Sequence, residues 1–212
     1  MKEGTDEPSG NQRNGVNNLL SDMSEALRSQ YLRSVRNEPA ITQDIQQIVD
    51  TVGGELIGLE FTIKDPKSFQ QKIEDDIAKG KGDEIKVLES IYDAVRYTSQ
   101  SSPEELADNY QKILDALIQK GYTLQRVKNT WTDPDNAYKG INAIFRAPSG
   151  EPFEFQFHTK ESFEIKHSKQ RRKMYEEFRL SSTSEKRRAK LNKQMMEMNK
   201  RLITPVDIEN IK

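Results

Sequence analysis

The sequence predicts an α+β fold: a mixed β-sheet ending in an antiparallel hairpin, flanked by helices. Three observations predict it. Residues Ile141–Arg146 and 153–159 are rich in β-branched and aromatic residues, and they flank the turn Pro148-Ser149-Gly150, a hairpin pattern. Upstream, helical and strand periodicities alternate, whereas downstream only helical ones follow, which fits a mixed sheet with appended helices. The chain has no cysteine and no apolar run near the ~18–20 residues that span a bilayer, so a disulfide scaffold and a transmembrane bundle both drop out.

Residues 1–15 are rich in Gly, Asn, Glu and Ser with little to bury, and read as a disordered segment. Residues 16–54 read as N-terminal helices. The first covers 16–36, with Leu19, Leu20, Met23, Leu27, Tyr31 and Leu32 on one face and Pro39 ending it. Thr42 caps a second, apolar at Ile41, Ile45, Ile48, Val49 and Val52, which Gly53-Gly54 stops. Residues 55–160 read as the core. A strand at 56–64 leads through Asp65-Pro66 into a helix at 68–78, closed by Gly80-Lys81-Gly82. The pattern at 84–92 fits either element, and 94–98 suits a short strand. Ser102-Pro103-Glu104-Glu105 opens a helix that runs to Gly121, with proline and acids where a helix start favours them. A strand at 122–131, the turn Asp133-Pro134-Asp135-Asn136 and the hairpin complete the core. Residues 161–212 read as basic C-terminal helices, one over 161–180 and one over 184–202.

Overall charge is −1, yet residues 160–201 hold fourteen Lys/Arg against six Glu, a local balance of +8. Such a stretch suits phosphate or a solvated amphipathic helix equally. The N-terminus lacks the charged-then-apolar layout of a secretory signal, so a cytoplasmic location is expected.

The strand at 153–159 carries the most chemical information. Alternation puts Phe153, Phe155 and Phe157 on one face and Glu154, Gln156 and His158 on the other, ~7 Å apart per step. An acid, an amide and an imidazole in a row line a site more naturally than a plain solvated face.

Glu154-Phe155-Gln156-Phe157-His158-Thr159 resembles the glutamate-x-glutamine-x-arginine-threonine strand of RelA/SpoT-type synthetases, nucleotidyltransferase-like pyrophosphokinases. The resemblance implies transfer of pyrophosphate from ATP to the 3′-hydroxyl of a purine nucleotide, with Glu154 as magnesium ligand or general base. His158 stands where the family has arginine. Tyr138-Lys139-Gly140-Ile141-Asn142 resembles the family's tyrosine-arginine-serine-leucine-histidine segment, so Tyr138 would stack on the acceptor purine. Lys128 sits where the family keeps a lysine for acceptor phosphates, and Asn142, Gln156 and His158 complete the acceptor set. Lys64, Ser68 and Lys72 match the family's donor-site pattern and imply ATP binding, with Thr62 in place of an arginine. Asp93 in Asp93-Ala94-Val95-Arg96 resembles the aspartate-x-x-glycine-x-arginine motif, which makes Asp93 the second Mg2+ ligand beside Glu154. Arg96 takes the glycine place and supplies the donor site's displaced positive charge.

The implied partners are ATP and a purine nucleotide. Toxin-type relatives extend them to tRNA and to a neutralising antitoxin or immunity protein, and no membrane is involved. Two alternatives stand beside the nucleotide synthetase: pyrophosphorylation of a tRNA 3′ end, and a non-catalytic phage-associated or interaction protein with a degenerate site. Hydrolysis of the same nucleotides is not expected. The hydrolase domain of the family this chain resembles carries an adjacent His-Asp pair among clustered ligands, whereas His158 and His167 are followed by Thr159 and Ser168.

Overall fold

The computed structural model describes residues 20–180 and 182–212. The disordered reading of residues 1–15 and the start of the first helix, including Leu19, lie outside the described residues. Among the described residues no helix is long and apolar enough to cross a membrane.

Helix α1 spans Glu25–Val52, capped by Ser24 and stopped at Gly53, whose φ of 89° suits the residue without a Cβ. The two N-terminal helices expected from Pro39 are thus a single one. An internal proline removes a hydrogen bond and costs ~3 kcal/mol, yet both halves of α1 bury an apolar stripe. Leu27 and Tyr31 enter one cluster with Phe69, Ile73, Val87 and Ile91. Ile41, Ile45, Ile48 and Val49 enter the main core. Side chains brace the turn at the proline: Thr42 donates to the Glu38 carboxylate, and its hydroxyl lies 2.8 Å from that of Tyr97.

The strand expected at 56–64 shrinks to β1, Glu55–Leu56. Gly58 takes a left-handed φ of 68° and turns the chain into a 3-10 turn over Leu59–Phe61. The segment regains the sheet edge only through an Ile63–Val95 bridge. Helix α2, Pro66–Ala78, follows with Asp65 capping the Ser68 amide and proline in the first turn. The ambiguous stretch is a short helix, α3, Glu84–Glu89. Then come β2 (Arg96–Gln100), α4 (Leu106–Gln119), β3 (Thr123–Asn129), β4 (Ile141–Arg146) and β5 (Pro152–His158).

The five strands form one mixed sheet in the order β1-β2-β5-β4-β3. Among the described residues the only parallel pair is β2 with β5, while β1–β2, β5–β4 and β4–β3 are antiparallel. α4 and the second half of α1 cover one face. There the three phenylalanines of β5 are at most 1% exposed, with Tyr97, Tyr110 and Tyr122 set edge-on against them. The expected α+β fold with a mixed sheet and terminal hairpin is the one found.

The helix expected over 161–180 is two helices, α5 (Lys160–His167) and α6 (Lys169–Arg179). Ser168 sits between them in an extended conformation, and its hydroxyl accepts from the Arg171 amide, so an N-cap starts a new helix where the hydrophobic pattern runs on. Helix α7 covers Glu185–Met198. Arg171 is buried and ties these parts together, donating to the carbonyls of Ala137 at 2.7 Å and Met195 at 3.2 Å.

Candidate active site

The strand register lays polar side chains across the sheet face opposite the aromatic core. Thr98 of β2 pairs with Gln156 of β5, Gln156 with Asn142 of β4, and Asn142 with Lys128 of β3. One step along, Arg96 pairs with Glu154. Paired residues share a face and so do residues two apart, so Arg96, Glu154, Gln156, Asn142 and Lys128 form one floor. Above it opens a cleft of about 1030 Å³. Helix α2 supplies one wall with Lys67, Ser68, Lys72 and Lys79, and α5 and α6 supply the other with Lys166, Arg172, Tyr175 and Arg179.

At the α2 end of the floor, two cations and two carboxylates interlock. Lys64 Nζ donates to Asp93 Oδ2 at 2.6 Å, and Arg96 donates to the same oxygen at 3.0 Å through Nη2. Arg96 Nε also donates to Glu154 Oε2 at 2.7 Å. Glu154 receives two further bonds, from Gln156 Nε2 at 2.7 Å and from Asn142 Nδ2 at 3.0 Å. Burial alone would raise the Asp93 carboxyl, but Lys64, Lys72 and Arg96 hold it below the usual range. Burial pulls the Arg96 guanidinium down, and Glu154 and Asp93 more than offset that. Main-chain bonds fix this corner: Lys64 donates its amide to the Ala94 carbonyl, and Tyr31 of α1 donates its hydroxyl to the Lys64 carbonyl.

The other end of the floor is held by neutral groups. Tyr138 donates its hydroxyl to Asn142 Oδ1 at 2.5 Å, and His158 Nε2 lies 2.9 Å from the same hydroxyl. On the other side of the ring, Nδ1 lies 2.9 Å from Ser162 Oγ. Burial pushes the imidazole well below its ordinary value, helped by Lys166 and His167, so His158 is neutral at pH 7. Gly140 permits this packing. A Cβ there would lie 2.7 Å from both His158 Cε1 and the Tyr138 hydroxyl.

Of the residues singled out in the sequence, Lys64, Ser68, Lys72, Asp93, Arg96, Lys128, Tyr138, Asn142 and Gln156 all line this one cleft. Glu154 lies at its floor behind Arg96, its side chain 12% exposed. His158 is fully buried beneath Tyr138 rather than open to the cleft. The basic charge of the stretch that forms α5 and α6 was legible in the sequence, but its place as a wall of this cleft was not, although Arg172, Tyr175 and Arg179 recur at i, i+3 and i+7 and so mark one helical face. Its most distinctive member is Lys166, which donates to Gln156 Oε1 and sits 5.6 Å above the Tyr138 ring. Burial, with Arg96 nearby, lowers its ammonium to about 8. Among the described basic residues beyond it, Arg187 is occupied by Glu177 at 2.6 Å and Arg188 by the Leu180 carbonyl.

The carboxylates suit a hard divalent cation. Asp93 Oδ1 is a buried oxygen with no hydrogen-bond partner, and Arg96 shows that a positive charge sits stably between Asp93 and Glu154. Among the described residues no three or more metal-ligating side chains come together, so an ion here would complete its shell with phosphate and water.

No protein-family profile matches the sequence, and no curated protein matches it in sequence. Solved structures do. The type VI effector Tas1, crystallised with its immunity protein, is similar with a TM-score of 0.59 at 18% identity, over 84% of this chain and 96% of that one. The protein smu.1046c from Streptococcus mutans UA159 is similar with a TM-score of 0.53 at 13% identity, over 82% and 89%. The small alarmone synthetase 1 from Bacillus subtilis, bound to its product pppGpp, aligns at a TM-score of 0.46 and 13% identity over 80% and 87%. The chain shares the fold of Tas1 and smu.1046c.

Proposed function

We propose that this chain is a nucleotide pyrophosphokinase that moves the β,γ-pyrophosphoryl group of ATP onto the 3′-hydroxyl of a purine nucleotide. The observation that carries the reading is the single polar sheet face on which Asp93, Arg96, Glu154, Gln156, Asn142 and Tyr138 meet, between two cationic walls. Pyrophosphoryl transfer needs little covalent help from a protein and much positioning and charge neutralisation. Lys64, Lys72 and Arg96 would neutralise the donor, with Ser68 presenting a hydroxyl from the same side. Tyr138, braced from below by His158, would carry the acceptor base on its ring. Every purine offers a π face to such a platform.

In the step itself, the 3′-oxygen bonds to the β-phosphorus, the bond from that phosphorus to the α,β-bridging oxygen breaks, and AMP departs. The hydroxyl proton passes to the Glu154 carboxylate. Asp93 and Glu154 would hold Mg2+, which when bound supplies neutralisation of the donor phosphates. An effector role with a neutralising partner protein belongs to the same proposal, and the fold shared with Tas1 supports it.

The test incubates the protein with γ-labelled ATP, Mg2+ and either purine nucleotides or bulk tRNA. Label in a 3′-modified nucleotide is expected. Label in tRNA moves the acceptor to RNA, and label in neither product overturns the enzyme reading in favour of a binding protein.

A further inference from the structure

We propose that Arg96 is a built-in counter-ion that keeps the divalent-cation site closed until a nucleotide arrives, so that metal enters only together with polyphosphate. The inference rests on the synthetase reading for what the cleft holds, but its own observations are geometric. One guanidinium joins the two carboxylates that an ion would need, at 3.0 Å from Asp93 Oδ2 and 2.7 Å from Glu154 Oε2. The parallel register fixes this, since Arg96 stands directly opposite Glu154 and only three residues after Asp93. Lys64 takes the same Asp93 oxygen, and Asn142 takes the other oxygen of Glu154. Of the four carboxylate oxygens only Asp93 Oδ1 lacks a hydrogen-bond partner. A free ion would therefore have to displace groups that belong to the chain and act at high effective concentration.

A polyphosphate changes this balance by giving Arg96 another partner. The planar guanidinium matches phosphate oxygens in a fork. The Arg96 side chain is 37% exposed and lines the cleft, so it can turn towards the donor without unpacking the core. Its departure would remove the positive charge that Asp93 Oδ2 and Glu154 Oε2 share, leaving only Lys64 on the first oxygen and the neutral Gln156 amide on the second. The aspartate-x-x-glycine-x-arginine motif has glycine at this place, which carries no such cation.

The experiment measures Mn2+ binding, by the electron paramagnetic resonance of the free ion, to the full chain with and without α,β-methylene-ATP. Wild-type protein alone is expected to bind Mn2+ at least tenfold more weakly than Arg96→Met alone. Adding Asp93→Asn to that variant should abolish the gain, which locates the effect. Arg96→Gln is the second variant should Arg96→Met fold poorly, judged by circular dichroism. Nucleotide-free affinities within twofold of one another for wild type and a folded Arg96 variant would overturn the proposal. If Mn2+ affinity rises as expected but no nucleotide is ever pyrophosphorylated, the counter-ion stands and the synthetase reading falls. Synthesis with unchanged Mn2+ affinity sinks only the counter-ion.

Discussion

The two faces of β5 are built from alternate residues of one seven-residue strand, yet they are held by different physics. Phe153, Phe155 and Phe157 are buried against edge-on tyrosines and neighbouring strands. Their stability comes from area removed from water, which is non-directional and tolerant of small shifts. Glu154, Gln156 and His158 are held by bonds to Arg96, Asn142, Lys166, Tyr138 and Ser162, contributed by β2, β4, α5 and the loop before β4. That face is directional, and each member fixes the next. One face therefore carries the fold and the other the polar floor of the cleft, and a substitution on one should leave the other largely intact.

The sharpest way to break this division is on the apolar side. Phe155→Ala is expected to destabilise the protein by about 3–5 kcal/mol, read as a lower urea midpoint. A loss under ~1 kcal/mol, well below that range, would mean that this face does not carry the fold. Glu154→Gln, one residue away, is expected to lower turnover by at least ~10²-fold while the urea midpoint falls far less than in Phe155→Ala. Retention of a tenth of the activity would remove Glu154 from the chemistry.

Tyr138→Ala should weaken acceptor binding by about 1–3 kcal/mol and leave ATP binding alone. The phenolic hydroxyl joins Asn142 to His158, so Tyr138→Phe should also lose about 1 kcal/mol through that chain. An acceptor KM identical in the Tyr138→Phe variant and the wild-type protein would show the hydroxyl to be idle.

Lys166 tests the polar face by pH. Its ammonium titrates near 8 when folded and near 10.5 otherwise, so the unfolded chain binds more protons between these values. Stability contributed at this site therefore rises with pH from about 8 to about 10.5, and the charged form costs stability below 8. Lys166→Met should raise the melting temperature at pH 7, with the gain shrinking as pH climbs through that window. A gain independent of pH would point to packing instead. Least consequential is Arg187→Glu, at an exposed ion pair with Glu177 outside the cleft. Neither melting temperature nor turnover should move, and loss of activity would extend the site beyond α6.

The contrast also explains what was legible in the sequence. Alternation around Phe155 writes the core face into the chain directly, and Asp65-Pro66 and Pro148-Ser149-Gly150 write two of the turns. Motif order brought Lys64, Asp93, Tyr138 and Glu154 to one site before any geometry existed. The ion pair between Arg96 and Glu154 was not legible, because it depends on the register of a parallel pair 58 residues apart in sequence. The role of His158 as a brace beneath Tyr138 depends in the same way on where the loop before β4 folds. Pro39 and Ser168 misled in opposite directions. Burial on both sides overrode the helix-breaking tendency of Pro39, and a single serine hydroxyl cut a helix that periodicity would have carried through.

Pro39 has one more consequence. It falls where α1 passes from the cluster that includes α2 to the cluster that packs under the sheet. The helix is thus a shared beam between two bodies, with a missing hydrogen bond at the seam. The α2 wall of the cleft hangs from the first half of α1 through Leu27 and Tyr31, and the sheet rests on the second half through Ile45 and Val49. Arg33, Ser34 and Asn37 of the first half also bond the Glu151 carboxylate just before β5, so the two bodies are strapped together on both sides of the seam. One wall of the cleft and its floor are thus carried by a single helix, on either side of a residue that has no amide proton to give.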